Sequence, residues 1–269
     1  MQKESEVATK LSQPKEKRVI TNVFNPKWYV EQMQNWTFKS YLLLMFGLGF
    51  IIATTLSTPM TPFTIITMMA GLLGFTCTLS ITNAKPLNGV FGAISAMIYI
   101  YVAWQSKNYS DAFLQLVYIL ALDLPVLVLI GWSSDVDKKV KGLGTLNHGL
   151  RNRILTLFTF LAITGALYVL ETSFFDSPRP FIDSLAAGIG ITGAILTTLR
   201  FKESYYFWLI QGILSIILWG VTMKQGGNPI LFMTYILYLS NDLIAFFDKD
   251  IPWFHKDNKK ALLKAKEDK

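Results

Sequence analysis

Trp208, Gln211, Ser215 and Trp219 lie in one apolar stretch at spacings of three, four and four, which places them on one face of a helix. Two flat aromatic surfaces with hydrogen-bonding groups between them can hold a planar ring. Such a ring stacks on the indoles or, if positively charged, sits over an aromatic face. A second stretch carries Tyr235, Tyr238, Asn241 and Asp242, again at helical spacing, so a second mixed face can meet the first. Asn241 both donates and accepts, which suits a sugar hydroxyl or an amide. The pair of faces fits a neutral or weakly charged aromatic heterocycle bearing hydroxyls. The competing reading is that tryptophans near span ends anchor the chain at a membrane interface and that Gln or Asn bridges helices. It carries most weight for Trp219 and Trp104.

These residues need positioning elements, and the composition says which. Hydrophobic residues make up 52% of the 269-residue chain and mean hydropathy is +0.38, too apolar for an ordinary soluble domain. About 20 apolar residues in a helix cross a hydrocarbon core of about 30 Å. Apolar runs of that order fall at 41–57, 62–83, 86–104, 112–132, 153–170, 181–199, 205–223 and 229–247. The expected fold is an all-α integral membrane protein with eight transmembrane helices, flanked by polar tails at 1–40 and 248–269. With the first tail cytoplasmic, 22 Lys and Arg fall on the inner side and only Lys107, Arg179 and Lys224 on the outer. That is the bias of the positive-inside rule, and it puts both termini in the cytoplasm.

The net charge of +7 therefore reads as a topology signal, and no nucleic-acid partner is expected. One cysteine, Cys77, and two histidines, His148 and His255, argue against a metal site or a disulfide framework. Strings for metalloprotease, phosphate-loop or serine-hydrolase chemistry are missing, so no enzyme, catalytic residue or cofactor is expected. Asp176, Asp183 and Glu203 sit near span ends and read as solvated.

Shifting the chain by 117 residues aligns it with itself: Lys85 falls on Lys202, Lys107 on Lys224, and Tyr118-Ile119-Leu120 on Tyr235-Ile236-Leu237. The implied plan has one additional first helix (41–57), a three-helix repeat (62–132), a linker helix (153–170) and a second three-helix repeat (181–247). The repeats are parallel, a plan known among transporters. Repeat symmetry nominates Asn88, Tyr99, Gln115, Tyr118 and Asp123 as counterparts of the second-half residues. Asp123, two residues before Pro125, reads as a proton-coupling group, a substrate ligand or a cap for backbone groups freed by the proline.

The segment from Lys85 to Trp132, KPLNGVFGAISAMIYIYVAWQSKNYSDAFLQLVYILALDLPVLVLIGW, resembles the first half of the Pnu family of bacterial vitamin transporters. FWLIQGILSIILW and YILYLSND resemble its second half, with Trp208, Ser215, Trp219, Tyr238 and Asn241 matching its signature. The resemblance covers roughly residues 40 to 250. It implies a SWEET-like 3+1+3 bundle in a bacterial cytoplasmic membrane and facilitated diffusion of nicotinamide riboside, with phosphorylation by a cytoplasmic kinase as the trap. Relatives carry deoxynucleosides, thiamine or riboflavin, and a proton-coupled version through Asp123 is an alternative. A homo-oligomer is compatible with this plan. Gly212 stands where an acidic residue is expected in many members, and Asp242 where a small residue is commoner.

Overall fold

The computed structural model describes residues 19–129, 140–144 and 149–248. Residues 1–18 of the first tail, the end of the fourth apolar run as far as Trp132, His148, His255 and nearly all of the last tail lie outside these residues. Several helices begin where the sequence can satisfy or dispense with a free backbone N–H. A short helix, α1 (Pro26–Gln32), is capped by Asn25. The first span, α2 (Phe38–Leu56), starts at Thr37, whose hydroxyl accepts from Ser40 N. Next come α3 (Pro62–Thr82), α4 (Leu87–Gln105), α5 (Tyr109–Val128), α6 (Gly149–Phe174), α7 (Pro180–Thr198), α8 (Ser204–Lys224) and α9 (Pro229–Phe247). Proline at the first helical position opens α3, α7 and α9, where a missing N–H costs nothing. The eight helices α2 to α9 are long and apolar enough to cross a membrane.

Four of the connections share one device. After α3, α4, α7 and α8, a residue in the left-handed region turns the chain: Ala84 (φ 54°), Lys107 (φ 56°), Arg200 (φ 61°) and Gly226 (φ 93°). The next amide reaches back to the carbonyl five residues earlier, as in Lys85 to Ser80 (2.9 Å) and Phe201 to Leu196 (2.8 Å). This is the Schellman closure, which satisfies orphan carbonyls and reverses direction within a few residues.

Helix α5 is not uniform. A π-helical turn, Ile119–Asp123, precedes Pro125, which has no N–H for the carbonyl of Ala121. The hydroxyl of Thr198 on α7 donates to that carbonyl instead. Capping near the proline is thus done by Thr198, and Asp123 is released from the structural role open to it in the sequence.

Contacts run α3–α4–α5 and α7–α8–α9 within sequence neighbours, while α3 meets α9 and α5 meets α7. Helix α2 packs on α3 and α9. Helix α6 lies against α7 with only Leu167 and Glu171 buried, leaving most of its length exposed. An isolated bridge between Lys141 and Phe201 is the one β pairing among the described residues.

Residues 19–36 do not behave as the polar tail expected through residue 40. Trp28 and Trp36 are buried in an apolar cluster with Leu44, Phe75 and Leu87, and Tyr29 stacks on Phe91 at 6.2 Å. Large aromatic areas in a polar stretch gain more by docking on the bundle end than by staying in water.

Candidate functional site

Helices α3, α4 and α5 enclose a cavity on one side and α7, α8 and α9 on the other; α2 and α6 contribute no lining residue. Ten of the candidates line it: Trp208, Gln211, Tyr235, Tyr238, Asn241, Asp242, Tyr99, Gln115, Tyr118 and Asp123. Small residues make the space. Gly74 leaves room for the Tyr238 hydroxyl and Gly92 for the Asp123 carboxylate, and a Cβ at either glycine would overlap those oxygens.

The walls are aromatic. Tyr118 and Trp208 face each other at 5.6 Å between ring centroids, tilted by 59°. Trp208 is held by its Nε1, which donates to Thr197 Oγ1 at 3.0 Å. Tyr238 stacks on Phe75 and meets Tyr235 edge-on at 5.2 Å. The Tyr118 hydroxyl is buried without a hydrogen-bond partner, as is Asp123 Oδ2. A buried polar atom left so costs on the order of 1–3 kcal/mol, so a ligand that meets it recovers that free energy. Among the described residues no Lys, Arg or His lines the cavity, whereas Asp123 and Asp242 do.

Three candidates stand outside the lining. Ser215 is buried one turn beyond Gln211 and accepts from Gln211 Nε2 at 2.8 Å, so it orients the amide. Trp219, one turn further, is also buried and donates to Asp111 Oδ2 at 2.9 Å. The expected face of α8 is continuous, but its far half is used up between helices. Asn88 is buried in the first turn of α4, its carbonyl 3.5 Å from Cys77 Sγ. Asn241 lines the cavity while its Nδ2 donates to Thr82 Oγ1 on α3 at 2.9 Å.

At the end carrying the α4–α5 and α8–α9 connections, a buried polar network closes the cavity. Asp111 also accepts from Tyr99, whose hydroxyl lies 2.9 Å from that of Tyr235. The amide N–H groups of Ser110 and Asp111, free because they open α5, donate to Asp183 at 3.0 and 2.9 Å. Ser110 N also donates to Glu171 Oε1 at 2.8 Å. Asp183 is therefore fully buried, contrary to the expectation of a solvated carboxylate: as a helix-end acceptor it does for α5 what water would do elsewhere. Glu203, half-buried, likewise accepts from Leu143 N at 2.9 Å, while Asp176 is exposed and pairs with Lys107 at 3.0 Å. Arg179 donates to Asn108 Oδ1 and to the Ser106 carbonyl after α4, and to Gln225 Oε1 after α8. Burial lowers its pKa from the ordinary value, against the pull of Asp183 and Glu171.

Reading polar residues span by span misses Asp111, Thr82, Thr197 and Tyr205, and it notes Asp242 as part of a face and as a departure from the family pattern, without a role. Asp111 and Asp183 look like flanking charges in sequence because each stands within a turn of a span end. Their pairing is visible only once α5, α6 and α7 are brought together.

A family model described as nicotinamide mononucleotide transporter matches residues 64–253. The nicotinamide riboside transporter PnuC of Neisseria mucosa is 25% identical over 232 residues, covering 82% of this chain and 84% of that protein. The protein of the same name from Haemophilus influenzae is 27% identical over 200 residues, covering 74% and 85%. A crystal structure of the vitamin B3 transporter PnuC superposes with a TM-score of 0.66 at 21% identity, over 89% of this chain and 99% of that one. Eight membrane-length helices, a buried aromatic cavity among six of them and a family match over most of the chain agree: this protein is a multi-pass membrane transporter belonging to the Pnu family.

Proposed function

We propose that the chain carries nicotinamide riboside across the cytoplasmic membrane by facilitated diffusion, through the cavity between α3–α5 and α7–α9. The observation that supports this substrate most is the lining: aromatic walls, amides at Gln115, Gln211 and Asn241, and no basic side chain among the described residues. A nicotinamide ring stacks on Trp208 or Tyr118, and ribose hydroxyls meet Gln211 and Asn241. The family description names a mononucleotide, but a phosphate entering this cavity would face Asp123 and Asp242 with no cation to offset it. The riboside named for both curated relatives fits better.

The two three-helix units are α3–α5 and α7–α9, joined by α6 and preceded by α2. Their cross-contacts, α3 with α9 and α5 with α7, are those that a two-fold axis along the membrane normal would generate. Matching left-handed turns after the first two helices of each unit support the same division. Rocking of the units about the cavity gives alternating access. Both termini lie in the cytoplasm, where a kinase traps the product by phosphorylation. A proton-coupled carrier is the second reading, favoured by the unpartnered buried Asp123 Oδ2.

Counterflow into proteoliposomes tests the substrate. Exchange of labelled nicotinamide riboside well above empty vesicles, with no exchange of the mononucleotide, is the expected result. Exchange of thiamine or a deoxynucleoside in place of the riboside would refute it. Uptake unchanged by an imposed pH gradient removes the proton-coupled reading.

A further inference from the structure

Asp242 sits in the second half of α9, one turn after Tyr238 and next to Asn241, and keeps accessible surface on the cavity. No donor among the described residues hydrogen-bonds its carboxylate. Opposite it on α8 stands Gly212: a Cβ there would come only within ordinary contact distance, 3.7 Å, of Asp242 Oδ2, so α8 extends no side chain from that position over the carboxylate. Tyr118 and Tyr205 line the same cavity, but neither brings a positive charge. Asp123 reaches the same cavity from α5, pressed against Gly92, with Oδ2 buried and unpaired.

Two carboxyl groups in one cavity with no protein cation are costly when ionised and unpaired. With a neutral ligand the carboxyls either carry that cost or stay protonated, whereas a ligand with one delocalised positive charge pairs with an ionised carboxylate and offsets it. The tyrosine and tryptophan faces beside them attract the same kind of ion. Shape and hydrogen bonding do not distinguish a cationic pyridinium riboside from its uncharged dihydropyridine form. Charge does.

We propose that Asp242, supported by Asp123, is the specificity-determining counter-charge of this carrier, selecting singly cationic ring substrates over neutral ones of the same shape. The proposal rests on the riboside reading above and adds the residue that enforces it. Asp242 meets the edge of the substrate's charged ring, whose face stacks on Trp208 or Tyr118; Gln211 and Asn241 bind the ribose.

The experiment is calorimetric binding to the purified full-length chain in detergent, with nicotinamide riboside and its neutral 1,4-dihydro form as ligands. The expected result is at least tenfold tighter binding of the cation to the unmodified protein. Asp242→Asn weakens the cation tenfold or more while leaving the neutral form within twofold, and Asp242→Glu keeps most of the preference. Equal binding of the two forms by the unmodified protein overturns the proposal without any variant, and leaves the riboside reading intact. A loss of both ligands by the same factor in Asp242→Asn, at an unchanged melting temperature, also overturns it. If neither form binds at millimolar concentration, the riboside reading itself fails, and the proposal with it.

Discussion

Trp219 Nε1 donates to Asp111 Oδ2 at 2.9 Å, joining α8 to the first turn of α5 at the end of the cavity where Tyr99 and Tyr235 also meet. Both residues are almost fully buried, so the carboxylate depends on these donors for its solvation. Trp219→Phe keeps the ring and removes the donor. A loss of about 1–3 kcal/mol of stability is expected, read as a lower melting temperature in detergent; an unchanged melting temperature would show that the bond adds nothing net.

Trp208 is a lining aromatic whose orientation is held by Thr197. Trp208→Ala should raise the half-saturating riboside concentration roughly tenfold, the scale of an aromatic stacking contribution of about 0.5–1.5 kcal/mol together with its lost buried area. Trp208→Phe should lie between. Counterflow at several substrate concentrations separates the two, and an Ala variant with unaltered half-saturation would remove Trp208 from the site.

Gly92 and Asp123 are packed too closely for any side chain at 92. Gly92→Ala must displace the Asp123 carboxylate or the π-turn that carries it. Overpacking of this kind costs roughly 1–3 kcal/mol. The expected outcome is a folded but less stable protein with markedly reduced uptake; full activity would mean that α4 and α5 separate easily here.

Orientation is testable because Cys77 is the single cysteine and is buried. On a Cys77→Ala background, Lys107→Cys should react with a membrane-impermeant thiol reagent on intact cells. Lys85→Cys should react only after permeabilisation. The opposite pattern inverts the topology.

The eight crossings are legible in sequence because each one meets a length that the bilayer imposes, and prolines and charges mark the ends. Trp208, Gln211, Tyr238 and Asn241 are legible for the same reason: a polar group inside an apolar span needs a destination. Helical spacing alone does not say how far a face runs along the cavity, so Ser215 and Trp219 look equivalent to Gln211 although they are buried in the interface. Asp183 and Asp111 are hidden by their position, since a carboxylate one turn inside a span end looks the same whether it meets water or the free amides of a neighbouring helix. The docking of Trp28 and Trp36 depends on contacts with α3 and α4 that local pattern does not encode.

Helix α6 has a consequence beyond chain reversal. At 26 residues and about 1.5 Å per residue it is roughly 39 Å long, against a hydrocarbon core of about 30 Å. The excess has to be absorbed by tilt or by ends that project into the headgroups, where Arg151 and Arg153 stand in its first turns. Because only Leu167 and Glu171 are buried along it, most of its length faces the bilayer, and its inclination answers to bilayer thickness as well as to its packing on α7. The thickness of the host membrane thereby becomes a variable that acts on a helix tied to both walls of the cavity, through Glu171 at Ser110 and its packing on α7.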